Sequence, residues 1–317
     1  MATSLRNYDT ISVSFKERRC PMLYTDCLFH PDLSQESLTL SPGENFDEEV
    51  QEARKQHADV TSIYLEGDNV FAAPNSELTA IGRKLQETFP ECHTIRCYAR
   101  IPEIQEKSLD ELIMLRDMGF DELNVGIESG SSLVLMIFEK GFTADAVEEQ
   151  LEKLEEAGIR WSASIVAGGL GGDSFTGSAH DTADLLNRFH PSRTYYGTVY
   201  ADDGSQYYNT VHDRNDFGFT ENSTRALMDE EAEFLTRLDL PGVEFDGSSL
   251  TNPLPISGVL PEEQEDLIDA IRFMETIYPE EFLDAVPTRG ADGCILVPER
   301  IGRAIQEKLD ELEGEEE

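Results

Sequence analysis

Apolar residues along this chain fall into two alternating spacings. Short runs rich in β-branched and aromatic residues have the length and composition of buried strands: TISVSF (10–15), VTSIYL (60–65), HTIRCYA (93–99), ELNVGI (122–127), WSASIVA (161–167) and TYYGTVY (194–200). Between them the apolar positions recur at helical spacing. Leu78, Ile81, Leu85 and Phe89 share one face behind a cap at Asn75 or Ser76. Leu109, Leu112 and Leu115 follow a capping box made by Ser108 and Glu111, and Gly119 stops that helix. Thr143 caps the next helix, whose Val147, Leu151 and Leu154 form one stripe, with Gly158 at its end. The pattern is a βα unit repeated about six times, which predicts an α/β fold.

Two architectures carry such a repeat, an open doubly wound sheet and a complete or partial βα barrel. The unusual residues favour the barrel. EGD (66–68) follows the second strand, Arg100 ends the third, ESGS (128–131) ends the fourth, GGLGG (168–172) the fifth and DDGS (202–205) the sixth. A cysteine-bearing loop follows the first. Polar and glycine-rich residues therefore collect after the C-terminal ends of the strands, where a barrel gathers its site. A partial barrel of six units is expected over residues 1–215. Residues 216–317 are expected to form an α-rich C-terminal extension: a capped helix, the extended segment VEFDGSSLTNPLPISGVLP, a second helix and a final helix running into an acidic tail.

Charge narrows the setting. Asp and Glu total 64 against 25 Lys and Arg, a net charge of −39, and only 7 of the 25 cations are lysines. The acids are spread over the whole chain, and 9% aromatic content with regular periodicity marks a folded protein. A uniformly acidic, lysine-poor surface suits molar salt, where the Debye length is about 3 Å. A halophilic cell is expected. No cluster of Lys and Arg offers phosphate contacts, so nucleic acid is not an expected partner. The N-terminal residues show no export signal and no long apolar run is present, so a cytoplasmic protein without membrane insertion is expected.

The five cysteines fit a reducing compartment. RRCPMLYTDCLFHPDL (18–33) holds two of them: Cys20 and Cys27 flank six residues, and His30 follows. Three readings are open. The loop is a site for a metal cluster, a zinc site using Cys20, Cys27, His30 and Asp26, or a place where two cysteines serve as small buried hydrophobes. Cys92 and Cys97 bracket a strand without metal-site context and are expected to be structural. The remaining histidines show no ligand spacing.

The run YARIPEIQEKSLDELIMLRDMGFDELNVGIESGSSLVLMIFEKGFTADAVEEQLEKLEEAGIRWSASIVAGGLGG (98–172) resembles the core of radical S-adenosylmethionine (SAM) proteins. There a strand ending in Glu-Ser-Gly-Ser is followed by a Lys-Gly turn, an amphipathic helix and a strand ending in glycines. IYLEGDNVFAAP (63–74) is similar to the segment after the second strand in one branch of that superfamily. The likeness runs from about residue 10 to 215.

This resemblance implies a six-unit partial barrel, a 4Fe–4S cluster on three cysteines after the first strand, and SAM cleaved to a radical that abstracts hydrogen from a substrate, with electrons from a donor. It also implies a ligand set. Gly67 and Asp68 would receive the methionyl ammonium and Arg100 the methionyl carboxylate. Glu128 and Ser129 would meet the ribose, and Gly168 and Gly169 would pass under the adenine. Asp202 and Asp203 would either face the substrate or make a turn. The chain departs from the family in two places. Tyr24 stands where the middle cluster cysteine belongs, and phenolate oxygen is a hard ligand where clusters take soft thiolates. His30 lies where relatives carry a ring beside the adenine, and is also a nitrogen donor able to replace a thiolate. Ser248-Ser249 stands where relatives carry Asn-His in a segment that closes over the site. The two functions this leaves open are a SAM-cleaving enzyme and a cluster-less descendant that binds a small molecule or a partner protein.

Overall fold

The structure, a computed structural model, describes residues 10–14, 46–57, 60–66, 69–172, 175–199, 220–249, 251–289 and 295–315. In chain order the elements are β1 (Thr10–Ser14), α1 (Phe46–Gln56), β2 (Ser62–Glu66), α2 (Asn75–Thr88), β3 (Thr94–Arg100), the short α3 (Ile101–Gln105) and α4 (Leu109–Asp117). They continue with β4 (Glu122–Glu128), the short α5 (Ser132–Ile137), α6 (Ala144–Ala157), β5 (Arg160–Ala167), α7 (Phe175–Phe189) and β6 (Arg193–Thr198). Beyond these lie α8 (Thr224–Arg237), β7 (Glu244–Gly247), β8 (Ile256–Val259), α9 (Gln264–Ile277), α10 (Glu280–Leu283) and α11 (Glu299–Glu315). The six strands read from periodicity are all present, within two residues of their expected ends.

Among the described residues, one compact unit holds the chain up to Ile127 together with Asp145–Ala163; the other holds Glu128–Ala144 and the chain from Ser164 onward. In the first unit β1, β2, β3 and β4 pair in parallel and in chain order. A doubly wound sheet reverses its order at a switch point; these strands do not, so the winding is that of a partial βα barrel and the class is mixed α/β. Register puts Leu65 beside Cys97 and Cys97 beside Leu123. All three are fully buried, a continuous apolar row across three strands.

The helices bury the faces their periodicity predicted: Leu78, Ile81 and Leu85 of α2, Leu112 and Leu115 of α4, Val147, Leu151 and Leu154 of α6. The capping box of α4 is formed as expected, with Ser108 Oγ accepting the Glu111 amide at 3.3 Å and donating to the Glu111 carboxylate at 2.8 Å. The cap of α2 differs from expectation. Pro74 precedes the helix, extended at ψ 143°, and Asn75 is already helical. Proline's fixed φ supplies the non-helical entry without a side-chain cap.

In the second unit β6 and β7 are parallel and β8 returns antiparallel to β7. Tyr196 of β6 stacks on Phe234 of α8 at 5.2 Å, and Phe245 of β7 completes an aromatic triangle, 5.6 Å from the one ring and 6.4 Å from the other. Ser223 caps α8 by accepting the Ala226 amide at 3.1 Å. Among the described residues, no helix is long and apolar enough to cross a membrane.

Candidate functional site

The end of β4 is the most constrained turn of the second unit. Glu128 has a φ of 63°, a left-handed conformation that costs a side-chain-bearing residue of order 1–3 kcal/mol. Its carboxylate is buried and accepts a hydrogen bond from Lys140 Nζ at 2.9 Å; both side chains are under 10% exposed. Lys140 is placed by the way α5 ends. The Lys140 amide donates to the Leu135 carbonyl and the Glu139 amide to the Met136 carbonyl, with Glu139 left-handed at φ 51°. That is a Schellman turn with glutamate in the position glycine usually takes.

The next residues dock onto α7. Thr182 Oγ1 donates to the Ser178 carbonyl at 2.7 Å, so it accepts from the Gly130 amide at 2.9 Å and from Ser129 Oγ at 3.1 Å. Ser129 Oγ in turn accepts the Ser131 amide at 3.1 Å. Gly130 has to be glycine, because a Cβ would stand 2.7 Å from Thr182 Cα.

At the end of β5 the chain turns at Gly168, φ 85°. The two peptide groups that flank it are each held by a side chain from far along the sequence. Its amide donates to Glu230 Oε2 at 2.8 Å, and its carbonyl accepts from Asn222 Nδ2 at 2.8 Å. Gly169 packs where a Cβ would come within 2.6 Å of Phe138 and Val134. A small, mostly apolar cavity lies beside these turns, with Ser129, Ser178, Thr182 and Glu230 as polar lining among side chains such as Val134 and Phe234. Glu230 also accepts Ser178 Oγ at 3.3 Å, and burial pushes its carboxyl up to about 7 against those two hydrogen bonds. The next residue, Glu231, is fully buried with no hydrogen-bond partner for either oxygen among the described residues, and burial holds it well above the usual carboxylate range. The Tyr196 hydroxyl is likewise buried without a partner among the described residues, raised by burial and then by the two glutamates.

The segment expected to close over a site is tied to the end of β6. Thr198 Oγ1 donates to the Thr251 carbonyl at 2.5 Å, Arg289 Nη1 donates to the same oxygen at 2.7 Å, and Ser249 Oγ lies 2.8 Å from Thr251 Oγ1. Asn252 Nδ2 bridges the Tyr196 and Gly247 carbonyls at 3.0 and 2.8 Å.

In the first unit Arg100 is buried at the end of β3 and caps α3. Its guanidinium grips Glu103 with two nitrogens, Nε at 3.2 Å and Nη2, and Glu103 also accepts the Arg100 amide at 3.2 Å. Its charge is thus shared with an acid three residues on. Cys97 is a free, buried thiol raised by burial to about 12, which removes it from thiolate chemistry and fits a structural role. Gly67, Asp68, Asp202, Asp203 and the whole cysteine loop, with Cys20, Tyr24, Asp26, Cys27 and His30, lie outside the described residues. Among the described residues no group of His, Cys, Asp or Glu could hold a metal ion.

The structure therefore brings Ser129 and Gly169 to one small cavity, ties Gly168 to Glu230 in its lining, and gives Glu128 a buried cation. Sequence reasoning missed Lys140, Asn222 and Glu230. Lys140 carried a readable signal, since a chain with only 7 lysines that still places one in a Lys-Gly turn needs it there. Asn222 and Glu230 carried none.

No family model matches this chain. No curated protein matches it either. Solved structures do. The archaeal Methanocaldococcus infernus Elp3, with its N-terminal residues 1–46 deleted, is 14% identical, with a TM-score of 0.51 over 75% of this chain and 61% of that one. The coproporphyrinogen III oxidase HemN from Escherichia coli, a radical SAM enzyme, is 15% identical, with a TM-score of 0.42 over 66% of this chain and 51% of that one. Methylornithine synthase, PylB, is 13% identical, with a TM-score of 0.46 over 84% and 81%. The chain spans about half the length of HemN. The parallel strands in chain order and the likeness to Elp3 show the fold alone, a partial βα barrel within a mixed α/β chain.

Proposed function

We propose that this protein binds S-adenosylmethionine, with the ribose at Glu128 and Ser129 and the adenine against the backbone of Gly168 and Gly169. The observation that carries this reading is the pair of strand-end turns after β4 and β5. One presents a buried acid in a left-handed conformation, and the other presents glycines where any Cβ would collide. A ribose offers two hydroxyl donors and needs a fixed acceptor; the Glu128 carboxylate, oriented by Lys140, is one. A flat base needs a wall without side chains, which a glycine turn supplies. These residues fit the nucleoside side of the cofactor. The methionyl end falls to Gly67, Asp68 and Arg100 on the sequence resemblance alone.

Hydrogen abstraction from a substrate is the chemistry SAM supplies beside a reduced 4Fe–4S cluster. The donor set here does not match that cluster, because Cys20 and Cys27 are two thiols and Tyr24 is a phenol. We derive no radical step through it. Tyr24 supports a second reading, a descendant that binds SAM or a related nucleoside without redox chemistry.

One experiment separates these. The protein is reconstituted anaerobically with iron and sulfide in high salt. Iron per chain is counted, and the electron paramagnetic resonance spectrum of the reduced form is recorded with and without SAM, beside SAM titration by calorimetry. About four irons and a SAM-perturbed signal would establish a working cluster despite Tyr24, and a need for an electron donor. SAM binding without iron, weakened by Glu128→Gln, would leave the binding reading. No binding of either would overturn both.

A further inference from the structure

Glu230 is an unusual residue to keep. It sits in the middle of α8, 4% exposed, and no salt bridge reaches it among the described residues. Among the described residues, the titratable groups around it are Glu231 on its own helix and the Tyr196 hydroxyl from β6, neither of them a cation. From α7 it meets the Ser178 hydroxyl, while His180 on that helix pairs with Glu233. α9 meets α8 elsewhere, through Arg272 on Asp229 and Gln264 on the Leu235 carbonyl, and α10 meets it through Arg225. An acid buried this way costs stability, and an apolar side chain of equal volume would not. What Glu230 does instead is hold the Gly168 amide while Asn222 holds the Gly168 carbonyl. The two gripped peptides lie on either side of Gly168, whose φ of 85° turns the chain toward Gly169.

We infer that Glu230, together with Asn222, is a positioning residue of the nucleoside site, fixing the two peptide planes that flank Gly168 so that the glycine turn presents a preformed wall to the base. The inference rests on the proposed SAM reading for its ligand. The clamp itself rests on the hydrogen bonds alone. Preorganisation of this kind lowers the ordering cost of binding. It also explains why residues 222 and 230, beyond the six-unit repeat, matter to a turn at the end of β5.

The test uses three full-length variants, Glu230→Met, Glu230→Gln and Asn222→Ala. Gln keeps an acceptor for the Gly168 amide and offers a donor to Ser178, whereas Met keeps only the volume. S-adenosylhomocysteine is titrated by calorimetry, thermal melting is followed, and deuterium exchange is read on peptides covering residues 166–172. The expected result is a split: Glu230→Met melts at or above the parent yet binds about tenfold more weakly and exchanges faster at the turn. Glu230→Gln stays within about threefold of the parent in affinity, and Asn222→Ala loosens the turn as Glu230→Met does. Unchanged affinity and exchange in Glu230→Met would overturn the inference. So would equal losses of melting temperature and affinity in both Glu230 variants, which would mark a purely structural residue. A parent protein that binds neither S-adenosylhomocysteine nor SAM would sink the SAM reading and leave the exchange data to decide the clamp.

Discussion

Glu128 at the end of β4 and Glu231 in the middle of α8 are both buried acids, 6% and 0% exposed, and they differ in their surroundings. Glu128 has an ammonium 2.9 Å away. Among the described residues, Glu231 has no hydrogen-bond partner on either oxygen, and its neighbour Glu230 has an amide and a hydroxyl. The first arrangement pairs a buried acid with a cation at a strand end. The second drives acids toward their neutral form, because desolvation outweighs the few groups that stabilise a charge there. One fold thus buries carboxyls for two different ends, and partners rather than burial decide which.

Removing the cation breaks the comparison most directly. Lys140→Met leaves Glu128 as an uncompensated buried charge and should lower unfolding free energy by about 3–5 kcal/mol in urea melts. The double variant with Glu128→Gln should recover most of that loss. A Lys140→Met protein as stable as the parent would mean that Glu128 does not depend on the pair.

The pH dependence of stability sharpens the other side. An acid raised by folding holds a proton that the unfolded chain has already released, so the native state binds more protons between the two values and stability falls as pH rises. For Glu230 the window runs from the usual 4.5 to about 7 and the loss is about 3 kcal/mol, levelling off above it. Glu231, also raised by burial, adds to the fall. Urea midpoints measured from pH 5 to 8 should therefore decline. Glu231→Met should flatten part of that slope and raise stability at pH 8 by about 1–4 kcal/mol.

Smaller effects come from the turn between these acids. Thr182→Val strips the acceptor from the Gly130 amide and the Ser129 hydroxyl and should cost about 1–2 kcal/mol. Glu139→Gly should stabilise by about 1 kcal/mol, because glycine takes φ 51° without strain. The first would show as a lowered melting temperature and the second as a raised one.

The order of elements was legible because its causes are local. Leu112 and Leu115 are buried because their spacing puts them on one stripe, and α4 begins where Ser108 and Glu111 can bond each other across three residues. The placement of Ser129, Gly168 and Gly169 after strand ends was legible for the same reason. Arg100 was read as a cation without its partner, although Glu103, three residues on in a capping box, was within reach of the sequence. The cap of α2 was misread because Asn75 and Ser76 are good cap formers and Pro74 preempted them by its geometry.

The sequence alone determined the alternation of strands and helices, the acidic and lysine-poor composition, the strand-end position of the polar residues and the family likeness. These follow from periods of two and 3.6 residues and from residue chemistry, which need no knowledge of distant neighbours. Only the tertiary structure decided which side chains serve those strand ends. Lys140 reaches Glu128 across 12 residues, Asn222 reaches Gly168 across 54 and Glu230 across 62. No local propensity encodes such pairs. They exist because packing α8 brings an otherwise unfavourable acid against a backbone amide, and the free energy of that contact depends on burial that the linear chain does not contain.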